Sequence, residues 1–234
     1  MGMFIYISGY FTLPSLKKKG AVVFIKERLI RLGLPLVLYY FLIGPLVRFI
    51  SKTSRGYDGS FFDFLSASYG AGTYGNFGVM WFVVLILFFS VVYAVFYHFF
   101  PDGLIKKPNN SFPSATSILI LVIFTGLASF LSRIAFPLGS EMAGGRPLGS
   151  MVFFVVSFFL GTASYRYGWL DKLNTKIAKP WIIAAIVVMM FTVVLLFISK
   201  GNIDSKVISA PGSVQSLFYS FWEVLKTLGT GMLA

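Results

Sequence analysis

Two arginines three residues apart, Arg28 and Arg31, are the most chemically pointed pair in a chain that has no cysteine and a single histidine. Thiol nucleophiles, disulfides, iron–sulfur clusters and thiolate zinc sites are excluded by that composition, and one imidazole is too few for a histidine metal centre. On a helix the two guanidinium groups share a face. Such a face either anchors lipid headgroups or grips a phosphorylated ligand bidentately, and the residue types alone leave both open. His98, between Tyr97 and Phe99, is the one general base of its kind and so a catalytic candidate, but no neighbouring carboxylate orients it and interfacial aromatic belts collect such residues. Arg133 sits in the apolar stretch from Ser129 to Pro137, where a charge needs a partner or a function. Glu141 and Arg146 follow shortly after. An internal Arg133–Glu141 ion pair and a cationic cleft for an anionic or polyhydroxyl acceptor both fit. Trp81 can stack on a sugar ring or belong to an aromatic belt. Gly70-Ala71-Gly72-Thr73-Tyr74-Gly75 spells a dinucleotide-binding fingerprint, but without a strand before it and a helix after it the run reads as loop punctuation. Asn109-Asn110-Ser111 spells a glycosylation sequon.

The elements that must position these residues follow from composition. Of 234 residues 57% are hydrophobic and only 12% charged, an excess that a water-soluble domain has no interior to hold. A membrane-spanning helix needs about 20 mostly apolar residues. The expected fold is therefore all-α, a polytopic transmembrane helical bundle in one domain over residues 1–234. Its spans are expected at Leu32–Ile50, Gly78–Phe100, Ile118–Leu138, Leu148–Tyr165, Trp181–Ser199 and Val214–Ala234, after a partial first run, Met1–Leu13. That first run would be only about 20 Å long as a helix, which predicts that Met1 lies inside a span whose beginning is absent. Lys17, Lys18 and Lys19 follow the run instead of preceding it, unlike the charge of a signal peptide.

Charge gives the expected orientation. The connections at 15–31, 101–117 and 166–179 hold 12 of the 20 basic residues, so these three are expected to face the cytoplasm of a multi-pass protein of the cell (plasma) membrane. Val22 to Ile30 alternates apolar and basic residues, as in a helix lying at the interface, before Pro35 admits the next span. The long aromatic and glycine-rich connection around 51–77 then lies outside. Because the net charge of +12 is divided among short loops and forms no continuous face, nucleic acid is not an expected partner. Membrane lipids are.

Several stretches, in order, resemble the acyltransferase 3 family of integral membrane acyltransferases. They are Phe4-Ile5-Tyr6-Ile7-Ser8-Gly9-Tyr10-Phe11, Phe24-Ile25-Lys26-Glu27-Arg28-Leu29-Ile30-Arg31 running to Pro35, and Met80-Trp81-Phe82. Further along come Phe159-Leu160-Gly161 leading to Tyr165-Arg166-Tyr167-Gly168-Trp169-Leu170, and Phe221-Trp222-Glu223. The resemblance implies transfer of an acyl group, acetyl in the first place, from cytosolic acyl-CoA to a hydroxyl of a sugar, polysaccharide or lipid-linked acceptor. Acyl-CoA would be a co-substrate, with no bound cofactor and no metal. Arg28 and Arg31 match the family's RxxR motif and would bind the acyl donor, and Trp81, Arg133, Glu141 and Arg146 are the acceptor-binding candidates. The family's proposed catalytic His, with an Arg about ten residues earlier, has no counterpart here, and Val79-Met80 stands where a His often precedes the Trp-Phe pair. The catalytic residue is thus unknown, and the chain is expected to be a piece of an acyltransferase, truncated at both ends and inactive by itself. A transporter or flippase using Arg133, Glu141 and Arg146 as a substrate path is the competing expectation, and a non-catalytic membrane scaffold a third.

Overall fold

The computed structural model describes residues 1–70, 77–100, 112–136, 141–142, 146–172, 175–198 and 212–231. Residues 71–75 of the glycine-rich motif and the sequon at 109–111 lie outside these. The helices are α1 (Gly2–Lys19), α2 (Ala21–Thr53), α3 (Phe61–Gly70), α4 (Trp81–Phe99), α5 (Ala115–Ala135), α6 (Met151–Tyr167), α7 (Thr175–Ile198) and α8 (Val214–Gly231). Between α5 and α6 the two-residue strands β1 (Glu141–Met142) and β2 (Arg146–Pro147) pair antiparallel. Every apolar run of the sequence holds one helix. Among the described residues α2, α4, α5 and the segment Leu148–Tyr167 are long and apolar enough to cross a membrane, and α7 contributes a shorter apolar stretch, Ala178–Phe191.

Small hydroxyl residues share the interior with apolar ones. Ser90, Ser129 and Ser220 are fully buried, while Phe124 and Ile120 on the outer side of α5 are 64% and 62% exposed. Without a hydrophobic force between helices in lipid, small residues let backbones approach inside the bundle, and many large apolar side chains face the lipid. The chain is an integral membrane helical bundle. Its core centres on Phe153, Phe154 and Phe158 of α6, packed against Ile5 of α1, Phe89 of α4 and Val122 of α5.

The tightest contact joins α1 and α6 at two glycines. A Cβ at Gly9 would stand 2.2 Å from the carbonyl oxygen of Phe158, and one at Gly161 would stand 2.0 Å from that of Tyr6. Only glycine permits this backbone-to-backbone approach. The two helices run in the same direction, with Tyr10 edge-on to Tyr165 at 5.5 Å and Lys17 over the Tyr165 ring. Helix α4 runs the same way beside α6, since Trp81 meets Phe154 near their starts and Tyr93 meets Phe158 and Phe159 further along. The bundle therefore has two distinguishable ends.

At one end α1 stops at Gly20, whose φ of 77° favours glycine, and the chain turns into α2. Leu16, Phe24 and Ala94 close a small core across the turn, and Lys19 bonds Glu27 over it. The sequence suggests an interfacial helix ahead of Pro35 and a separate span behind it, but the structure joins them into one 33-residue helix. The reason lies in two π turns, Leu29–Gly33 and Tyr39–Ile43. Each precedes a proline by one residue: Leu34 donates to the Leu29 carbonyl ahead of Pro35, and Gly44 donates to the Tyr39 carbonyl ahead of Pro45. A proline has no N–H and its ring clashes with the carbonyl four residues back, so widening the preceding turn accommodates it without breaking the helix.

Helix α3 falls inside the connection at 51–77, where a long outer loop is expected. Its start is a reciprocal cap, the Ser60 amide donating to Asp63 Oδ2 and the Asp63 amide to Ser60 Oγ, both at 3.2 Å. Phe61 and Phe64 then pack on Phe49 at the end of α2.

Candidate functional site

Arg133 stands at the centre of the most polar buried cluster. Residues Thr125, Ser129 and Arg133 recur every four positions on α5 and are all buried, as are Ser216 and Ser220 on α8. That spacing puts each set on one helix face. The two faces meet, and Arg133 Nη2 lies 2.6 Å from Glu223 Oε2 and 3.3 Å from Ser150 Oγ, while Nη1 donates to Ser220 Oγ. The guanidinium plane covers the Tyr219 ring at 4.8 Å. Arg133 is 1% exposed and the Glu223 side chain 13%. Two opposite charges, one hydroxyl from each of α6 and α8, and an aromatic face thus converge from three helices. Arg133 Nε and the indole N–H of neighbouring Trp222 are buried with no hydrogen-bond partner among the described residues.

Among the described residues, then, the ionic partner of Arg133 is Glu223, 90 positions further on. Sequence reasoning favoured the nearby Glu141. The backbones of Glu141 and Arg146 form the small hairpin joining α5 to α6, and their side chains lie outside what is described. Trp81 begins α4 and is half-buried, one side of it against Phe154 at 5.5 Å. Glu223, Ser150, Ser220 and Tyr219 were missed as a cluster. One signal could have narrowed the search: Glu223 is the only one of the eight acidic residues inside an expected span, so Arg133, one of three basic residues inside such spans with Arg48 and Lys226, had one acidic partner available at membrane depth.

The opposite end of the bundle carries Arg28 and Arg31. Arg28 lies over the Phe24 ring at 5.2 Å and is half-buried, while Arg31 is exposed. The π turn begins between them, at Leu29, so they do not share a face as closely as an unbroken α-helix would make them. They remain close enough for the charge of Arg31 to act on Arg28. The adjacent carboxylate, Glu27, is held by Lys19, and neither arginine forms an ion pair among the described residues. Two neighbouring cations with no counter-ion suit a phosphate. His98 is exposed at this same end, beside Phe99 and past the Leu16–Phe24–Ala94 contact. Since α4 and α6 run in parallel and Ser150 precedes α6, His98 lies at the far end from the Arg133–Glu223 cluster.

Over residues 1–233 the chain matches the acyltransferase domain of the acyltransferase 3 family. No curated protein matches it, and no solved structure does.

Proposed function

The chain belongs to the acyltransferase 3 family, and from that premise we propose that this membrane acyltransferase takes its acyl group from acyl-CoA at the Arg28–Arg31 end and passes it to a hydroxyl of a sugar, polysaccharide or lipid-linked acceptor. The acceptor oxygen attacks the thioester carbonyl, the carbon–sulfur bond breaks, and the hydroxyl proton ends on the released thiol. The observation that carries the reading is the arginine pair, neither member of which forms an ion pair among the described residues. CoA presents several phosphates, which paired guanidinium groups bind in a bidentate manner. In this reading the acceptor is met at the other end, where Trp81, Arg133 and the hairpin of Glu141 and Arg146 gather. The Arg133 charge is already neutralised by Glu223, which fits a neutral, polyhydroxyl acceptor better than an anionic one.

The Lys side chain keeps the charge but loses the planar fork. Arg28→Lys together with Arg31→Lys is therefore expected to weaken acyl-CoA binding roughly tenfold, the order of one charge-assisted hydrogen bond, while membrane insertion stays intact. Equilibrium binding of labelled acyl-CoA to purified protein in nanodiscs measures it, and unchanged affinity would return the pair to lipid anchoring.

Donor and acceptor on opposite sides also require the orientation that basic residues suggest, with 15–31, 101–117 and 166–179 in the cytoplasm of a plasma-membrane protein. The absence of cysteine makes the test simple. A single Cys at Ser60 should react in intact cells with an impermeant thiol reagent, and one at Ser111 should react only after lysis. The reverse pattern would invert the proposed direction of transfer.

A further inference from the structure

A cavity of about 340 Å³ lies between α1, α5, α6 and α8, and neither arginine cluster contains it. One end of it is lined by Phe112 and Pro113 ahead of α5 and by Trp169 and Leu170 after α6. That is the basic end of the bundle: Lys17 covers Tyr165 there, and Arg166 and Lys172, with Asp171, belong to the same turn. From there the cavity runs inward past Val156 and Leu160 to Phe153 and Val224, which follow Ser150 and Glu223 of the buried cluster within three residues. The walls are chiefly apolar, and their hydroxyls are largely occupied. Tyr6 donates to Ser164 at 2.8 Å, Ser157 donates to the Phe153 carbonyl at 2.8 Å, and Ser117 is bonded to Ser114. Thr125 Oγ1 alone among these is buried without a partner.

We infer that this cavity holds the hydrocarbon tail of the acyl donor, and that the enzyme uses acyl groups longer than acetyl. The inference rests on the acyl-CoA reading above. A slot with basic residues at one end and an apolar interior complements a molecule with an anionic head and an apolar tail. Its volume is at the lower end of ordinary ligand pockets, which begin at about 300 Å³, and suits a hydrocarbon chain of medium length. An acetyl group would leave most of it unfilled, and a sugar would meet too few free hydrogen-bond partners there.

The test is photolabelling of the full chain in nanodiscs with decanoyl-CoA carrying a diazirine at the end of its tail, alongside a phospholipid with the same group. Saturable labelling of the α6 peptide holding Val156 and Leu160, competed by decanoyl-CoA at a concentration at least roughly tenfold lower than acetyl-CoA requires, is expected. Label confined to the α2 peptide, lost in the Arg28→Lys/Arg31→Lys variant, would keep the donor site and overturn the tail slot. No saturable acyl-CoA labelling anywhere would overturn both. Equal labelling of α6 by the phospholipid, uncompeted by decanoyl-CoA, would identify the occupant as a membrane lipid and overturn the inference. Two variants read the fit in binding. Val156→Phe fills the slot and should lower the decanoyl-to-acetyl preference roughly tenfold, the lower limit for a misfit of a methylene or more in an apolar pocket. Thr125→Val removes the unpartnered hydroxyl and should raise decanoyl capture. A loss would mean that a polar part of the donor sits there and that the tail does not.

Discussion

Glu223→Gln is expected to destabilise the folded bundle by about 3–5 kcal/mol, the cost of removing one partner from a buried ion pair. The substitution leaves the shape almost unchanged. It also leaves Arg133, 1% exposed, as a cation whose other contacts are hydroxyls and the Tyr219 ring. The size of the loss decides what the pair does, because an ordinary hydrogen bond between membrane helices contributes only about 0.6 kcal/mol on average. A loss near that smaller value would mean that water reaches Arg133 and that the pair is one polar contact among several. Removing both charges in Arg133→Met/Glu223→Gln should restore most of the stability, since a buried pair replaced by apolar groups is often neutral. Reversible unfolding by SDS titration in mixed micelles, arranged as a double-mutant cycle, measures both quantities.

Gly161→Ala is expected to be nearly as damaging, at about 1–3 kcal/mol or beyond. The new methyl would stand 2.0 Å from the Tyr6 carbonyl oxygen and 2.7 Å from the Tyr10 nitrogen. Those atoms are backbone, so no side chain can swing aside, and α1 must move away from α6 along their shared length. The same substitution at Gly33, which is helical and has nothing within 4 Å, is the control and should be neutral or stabilising by about 0.5–1 kcal/mol. Gly161→Ala matching that control in a thermal denaturation series would mean that the two helices are less closely engaged than the glycines indicate.

The helices were legible because each rests on a local property. Every apolar run holds one, with Ser114 capping the start of α5 and Gly168 ending α6 in the left-handed region. What depends on the register between distant helices was not legible. Arg133 has Glu141 eight positions ahead, and nearness along the chain made it the natural partner. The pairing with Glu223 arises because the faces of α5 and α8 oppose each other, a fact that no local pattern records. Trp81 shows the same limit, since the packing of its indole on Phe154 of another helix is also set by register. The shared face expected of Arg28 and Arg31 presumed regular α geometry, and the π turn ahead of Pro35 perturbs it. Helix α3 escaped notice because its cap uses Asp63 where the familiar box has a Glu or Gln.

The two π turns of α2 give that helix a property its neighbours lack. An α-helix turns by about 100° per residue, so a residue lost or gained in a regular helix rotates everything beyond it onto a new face. A π turn amounts to a surplus residue absorbed within one winding. Deleting one residue from Leu29–Gly33 would let the helix close regularly, and because the residue lost is the surplus one, the basic N-terminal part keeps roughly its facing against the apolar part beyond Pro35. Restoring one residue there would reopen the π turn. At these two windings α2 can thus take up or lose a single residue over generations, while the arginine pair keeps its aim relative to the wall of the bundle to which it is attached.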